Sequence, residues 1–201
     1  TDALGEMEIA DGALWGIHTQ RALRNFALSK RKVPYQLISA IAVVKHAAAL
    51  ANGELGYIPK NIAEAIGTAC DKIANDEKEF ADAFPLDALQ GGAGTSTNMN
   101  VNEVIANLAL QALGKKAGDY GDVNPIDHVN LHQSTNDVYP TALRIAAIAG
   151  FKALNDALSK FQGALQAKEK EFHDVVKMGR TELQNAVPMT LGQEFSAFSE
   201  A

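Results

Sequence analysis

Residues 151–172 read FKALNDALSKFQGALQAKEKEF, and within them Phe151, Leu154, Leu158, Phe161, Leu165 and Phe172 recur three, four or seven residues apart. That period is the seam of a helical bundle or coiled coil. Extended to its natural limits, from about Val138 to Asp174, a continuous helix here would span about 55 Å at 1.5 Å per residue. An average globular domain does not need such length. A helix of this kind asks for equally long neighbours, yet the other helical patterns in the chain are shorter. The last pattern, Leu191 to Ala201, reads as a helix just begun, so the polypeptide is expected to be truncated. No strand pattern of comparable length occurs, and the predicted class is all-α.

Working outward from this segment, Leu37, Ile38, Ile41, Val44 and Ala48 predict a helix from Pro34 to Asn52, with Pro34 suited to its first turn and Gly53 to its stop. A second helix is predicted from Lys60 to Asp82, burying Ile62, Ile66, Ile73 and Phe80 and ending before Pro85. A third is predicted over 98–113. The stretch through Gly12, Trp15, Gly16 and Asn25 has no sustained period and reads as an irregular arm. Two parts follow, residues 1–137 and residues 138–201, the second being the start of the long-helix bundle. Cys70, the single cysteine, excludes an internal disulfide framework and lies among Ile66, Ala69 and Ile73 on an apolar face, as a core residue does.

With 201 residues and 47% hydrophobic content the chain can bury a core. Its net charge is -6, and the lysines and arginines are scattered among acids instead of forming a stripe, which argues against a nucleic-acid surface. No apolar run approaches the roughly 18 residues of a membrane span, and the first residues lack a signal-peptide pattern. The expectations are a cytoplasmic address and a small-molecule partner, with neither nucleic acid nor membrane.

Three polar segments interrupt the helical pattern. The first, residues 91–100 (GGAGTSTNMN), leads into the third helix. Its glycines let backbone approach a ligand, and the free N–H groups of a helix start favour an anion such as a carboxylate. Taken alone, the segment reads better as a flexible loop with Thr97 or Asn98 as helix cap. The second, residues 127–137 (DHVNLHQSTND), ends where the long helix begins, and Ser134, Thr135 and Asn136 put neutral donors at that helix's positive end. Capping by Asn136 or Asp137 is the alternative. His128 and His132 stand four apart, but no carboxylate or cysteine is placed to complete a metal site with them, so no metal is predicted. The third, residues 179–195 (GRTELQNAVPMTLGQEF), reads as a turn-rich link in which Thr181 and Gln184 are placed to contact a ligand and Glu182 to exchange protons if buried.

In order, spacing and wording these segments resemble the aspartase/fumarase superfamily. The resemblance extends through Asn102-Glu103-Val104, residues 189–194 (MTLGQE) and residues 15–21 (WGIHTQR), and so covers essentially the whole chain. It implies the family's all-α fold, and a homotetramer whose long helices form a central bundle with each active site assembled from three subunits. It implies substrate-carboxylate binding by Thr95, Ser96, Ser134, Thr135, Asn136 and Thr181. Many members carry histidine at the position of Glu182 and others glutamine. Glutamate there is a departure, so Glu182 is assigned to the site without a fixed role. The implied chemistry removes the C3 proton beside a carboxylate, giving an aci-carboxylate dianion that hydroxyl and amide donors stabilise, and needs no cofactor. The family's serine base lies in a Gly-Ser-Ser…Pro…Lys…Asn-Pro signature that does not occur here, so this stretch alone is expected to be inactive.

The resemblance also bears on substrate. Ala93 and the wording Ser134-Thr135-Asn136-Asp137 favour the branch that eliminates ammonia from L-aspartate over the branch that hydrates fumarate. Met178, Gln184 and Met189 point the same way, while Asn185 replaces an aspartate usual to both. Asn124-Pro125-Ile126-Asp127 stands where fumarases have a His-Pro-Asn-Asp dicarboxylate site, which is therefore expected to be absent. A non-catalytic helical scaffold is the reading from another class. A packing-only bundle, however, has no physical reason to keep Thr95, Ser134, Thr135, Asn136 and Thr181 together.

Overall fold

Pro34 and Pro59 preset the backbone just before helices Tyr35–Glu54 (α2) and Lys60–Asn75 (α3), in a computed structural model that describes residues 2–201. A short helix, Ile17–Asn25 (α1), precedes them inside the stretch expected to be irregular. Its start has no side-chain cap of its own. The Glu103 carboxylate instead accepts from the amides of Gly16, His18 and Thr19 and from the Thr19 hydroxyl. A tertiary partner more than 80 residues away makes this helix, which is why local period missed it.

Two boundaries also differ. Gly53 does not end α2; it lies buried inside the helix where a Cβ would stand 2.7 Å from that of Ala63, so it serves close packing. Gly56, at φ +77°, follows the helix end. The predicted helix over 60–82 breaks at Asp76, whose carboxylate accepts from the Glu79 amide at 3.0 Å and starts a new short helix, Glu77–Phe80 (α4). A 3₁₀ turn, Ala81–Ala83, then leads to Pro85.

Helix α5, Thr95–Ala112, is the centre of the first unit, which ends at Ala147. It begins three residues before the predicted start, and nearly every side chain from Thr97 to Leu110 is buried. Ile38 and Ile41 of α2, Ile66 and Ile73 of α3, and Val101, Val104 and Ile105 of α5 form the core with Cys70. Each such side chain contributes roughly 1.5–3 kcal/mol by burial. A single π-helical turn, Pro125–Val129, packs against α5 and precedes the long helix Thr135–Glu171 (α6).

The second unit, Ile148–Ala201, holds the rest of α6, a β-hairpin and a last helix, Leu191–Glu200 (α7). The hairpin was not foreseen: Val176–Thr181 (β1) pairs antiparallel with Gln184–Thr190 (β2) where a polar link was expected. Its two-residue turn, Glu182-Leu183, puts both residues at positive φ, +50° and +63°, a conformation usually signalled by Asn-Gly. Glu-Leu carries no such signal. Thr190 caps α7 in a reciprocal capping box with Gln193, and the Phe172 and Phe195 rings stack at 5.7 Å. The all-α class stands, with this small hairpin added to it.

Candidate functional site

Residues 91–94 form the approach to α5. Gly94, at φ +89°, is its left-handed N-cap, and a Cβ there would collide with the Tyr139 ring, so only glycine satisfies both backbone and space. Having no side chain, Gly94 cannot cap the helix. Gln90 substitutes: its carbonyl oxygen accepts from the Thr97 amide at 2.9 Å, while its NH2 donates to the Thr97 hydroxyl at 2.8 Å. The early start of α5 places Thr95 and Ser96 in its first turn, where the helix dipole is positive. Thr95 is exposed, and Ser96 is half-buried.

The start of α6 is built differently. The Ser134 hydroxyl accepts from the Asn136 amide at 3.3 Å, and the Asp137 carboxylate accepts in return from the Ser134 amide at 3.1 Å. Ser134 is thus the cap and Asp137 its reciprocal partner, in place of Asn136. Pro140 has no N–H to give, so the Asn136 carbonyl lacks its helical partner. Ser134 and Asn136 are exposed and Thr135 is half-buried.

These two helix starts are joined. The Asn98 side-chain NH2 donates to the Thr135 hydroxyl at 3.3 Å and to the Asn130 side-chain oxygen at 3.1 Å. Asn102 donates to the same oxygen at 3.1 Å. So does Lys45, from the middle of α2, also at 3.1 Å, and its ammonium reaches Gln133 at 3.2 Å. Burial pushes Lys45 down to about 7. A cavity of about 400 Å³ opens beside the joint, lined by Gln90, Gly92, Ala93, Gly94, Asn136 and Tyr139 among others. Two positive helix ends beside one cavity, with the Gln90 and Asn136 amides in its lining, can hold a carboxylate.

Thr181 and Glu182 lie in the second unit, at the end of β1 and in the hairpin turn. Both are exposed within the chain. His128 and His132 are engaged apart. The His128 Nδ1 accepts from the Asn124 amide at 2.8 Å, and the His132 Nδ1 pairs with the Asn52 side-chain oxygen at 2.9 Å while its ring meets Tyr57 edge-on. Cys70 is buried and its thiol is pushed up to about 12 by burial, as befits a core residue.

Sequence reasoning missed Lys45, Gln90, Asn98, Asn102, Asn130 and Tyr139. A signal for Lys45 existed: it falls four residues after Ile41 and seven after Ile38, on the buried face of a helix. Asn98, Asn100 and Asn102 gave none, because polar residues in a predicted helix read as its wet side.

A family model described as Lyase matches residues 5–201. The chain belongs to that lyase family. Aspartate ammonia-lyase of Escherichia coli (strain K12) is 50% identical over 200 residues, covering 98% of this chain and 42% of that protein. Class II fumarate hydratase of Nitrosomonas europaea is 49% identical over 198 residues, with 98% and 42% covered. The crystal structure of a Brucella melitensis fumarate lyase:delta crystallin superposes with a TM-score of 0.91 at 49% identity, covering 99% of this chain and 45% of that one. The chain spans less than half the length of the curated relatives it matches. Its helical fold is the fold of the lyase family.

Proposed function

We propose that this chain forms the dicarboxylate-binding portion of a lyase that, as a complete polypeptide, eliminates ammonia from L-aspartate to give fumarate. The observation that carries this reading is the joint between the starts of α5 and α6, where Asn98 reaches the Thr135 hydroxyl and a cavity lies between Gly92–Gly94 and Asn136. Thr95 and Ser96 on one helix start and Ser134, Thr135 and Asn136 on the other are the proposed carboxylate donors. Loss of the C3 proton puts a second negative charge on the adjacent carboxylate, and donors already held in place stabilise it without reorganising. Removing one such donor typically lowers kcat by 10²- to 10³-fold. In a homotetramer whose sites are each assembled from three subunits, Thr181 is proposed as a further carboxylate contact, with Glu182 beside it and without an assigned step. The serine base comes from outside these residues, and no cofactor takes part.

A homotetramer is proposed with it. Ile148, Phe151, Leu154, Leu158 and Phe161 are each more than half exposed within the chain, in a seam suited to bundling with copies of itself. A cytoplasmic address goes with this reading.

A second reading, hydration of fumarate, is favoured by the 49% identity to a class II fumarate hydratase. The ultraviolet absorbance of fumarate separates the two when the complete polypeptide receives L-aspartate in one cuvette and L-malate in another. A rise from L-aspartate alone is expected. A rise from L-malate alone would replace the first reading by the second, and silence in both would contradict each.

A further inference from the structure

Lys45 is the one lysine with no exposed surface among the described residues, and it sits on a helix otherwise buried through Ile38, Ile41 and Ala49. A methionine of similar length would fill that position without the cost of burying a charge. The two acceptors of its ammonium, Asn130 and Gln133, are neutral amides, so its charge is not cancelled by a carboxylate it bonds. Asp137 of α6 and Cys70 of α3 are the titratable groups that bear on it, and the α5 side chains that share its acceptor are asparagines.

Both acceptors lie in the short segment that delivers the chain into α6. Gln133 precedes Ser134 directly, and the Asn130 NH2 donates to the Gln133 carbonyl at 3.0 Å, folding that segment on itself. The Asn130 oxygen collects three donors, from α2 and twice from α5. Asn98 and Asn102 turn their NH2 groups toward it while their own oxygens, both buried, take no hydrogen bond.

We propose that Lys45 is a positioning residue for the dicarboxylate cleft: through Asn130 and Gln133 it holds the start of α6 in register with the start of α5. It does not touch the substrate. The proposal rests on the cleft's being a dicarboxylate site.

The test uses the complete polypeptide and succinate, a dicarboxylate that cannot react, with binding read by calorimetry beside kcat, KM and Tm. Lys45→Met is expected to weaken succinate at least tenfold and raise KM at least as much, with kcat changed less than threefold. A lysine that served stability alone would lower Tm and leave succinate affinity and KM of the folded protein unchanged, and that result would overturn the proposal. Asn130→Asp is the second variant. It keeps the side chain's shape and an oxygen for all three donors but loses the NH2 that holds Gln133, and it too is expected to weaken succinate at least tenfold with Tm nearly kept. Unchanged affinity in Asn130→Asp would contradict the shared role of the hub. Wild-type protein that neither binds succinate nor releases fumarate would instead contradict the function proposed above.

Discussion

In the first unit Ile38, Ile41, Ile66, Ile73, Ile105 and Leu110 are at most 1% exposed, whereas in the second Ile148 is 70% exposed, Phe151 67% and Phe161 61%. Both sets are large apolar residues at helical spacing. They differ in whether the chain itself supplies a partner for the face they form. Helical period therefore reports that a face exists, and a second element is needed to say what covers it.

The largest test of this contrast is Ile105→Ala. Ile105 is fully buried in α5, and the cavity left behind should destabilise the protein by about 2–5 kcal/mol, read from denaturant midpoints. A loss under about 0.5 kcal/mol would mean that the first unit is not packed as described. Gly94→Ala comes next, costing about 1–2 kcal/mol for the left-handed backbone alone, before its clash with Tyr139 is counted. That clash should also displace the cavity wall and weaken dicarboxylate binding along with stability.

Lys45 links stability to pH. Its folded value is about 7 and its ordinary value 10.5, so between those limits the unfolded chain binds the proton that the folded chain has lost. The contribution of Lys45 to stability thus rises from pH 7 toward 10.5, and below about 7 its burial opposes folding in full. Lys45→Met should remove that slope between pH 7 and 10.5, measured by denaturant unfolding at each pH; an unchanged slope would assign it elsewhere. The smallest expected effect is Phe151→Ser. In dissociated chains it should change unfolding by no more than about 0.5 kcal/mol, while weakening association seen by sedimentation. A large loss of stability in the dissociated chain would erase the contrast between the two units.

What the sequence disclosed follows the same line. The starts of α2 and α3 and the presence of the long α6 came from apolar period and the prolines, and the polar segments at 91–100 and 127–137 marked the two helix starts that Asn98 and Thr135 join. Hidden were the features whose cause is distant or inverted. Helix α1 depends on Glu103, and the break at Asp76 on one capping carboxylate. The hairpin turn uses Glu182 and Leu183 at positive φ without glycine or asparagine. The hub under the cleft is made of buried lysine and asparagine, residues that ordinarily signal a wet surface. Polarity in a core has to be seen in three dimensions before it reads as design.

A crystal structure of the complete polypeptide with succinate tests the central claim most directly. The account predicts one succinate carboxylate within hydrogen-bond reach, about 2.7–3.2 Å, of donors from both Thr95–Ser96 and Ser134–Asn136. Succinate bound away from this joint, or held by one helix start alone, would contradict it.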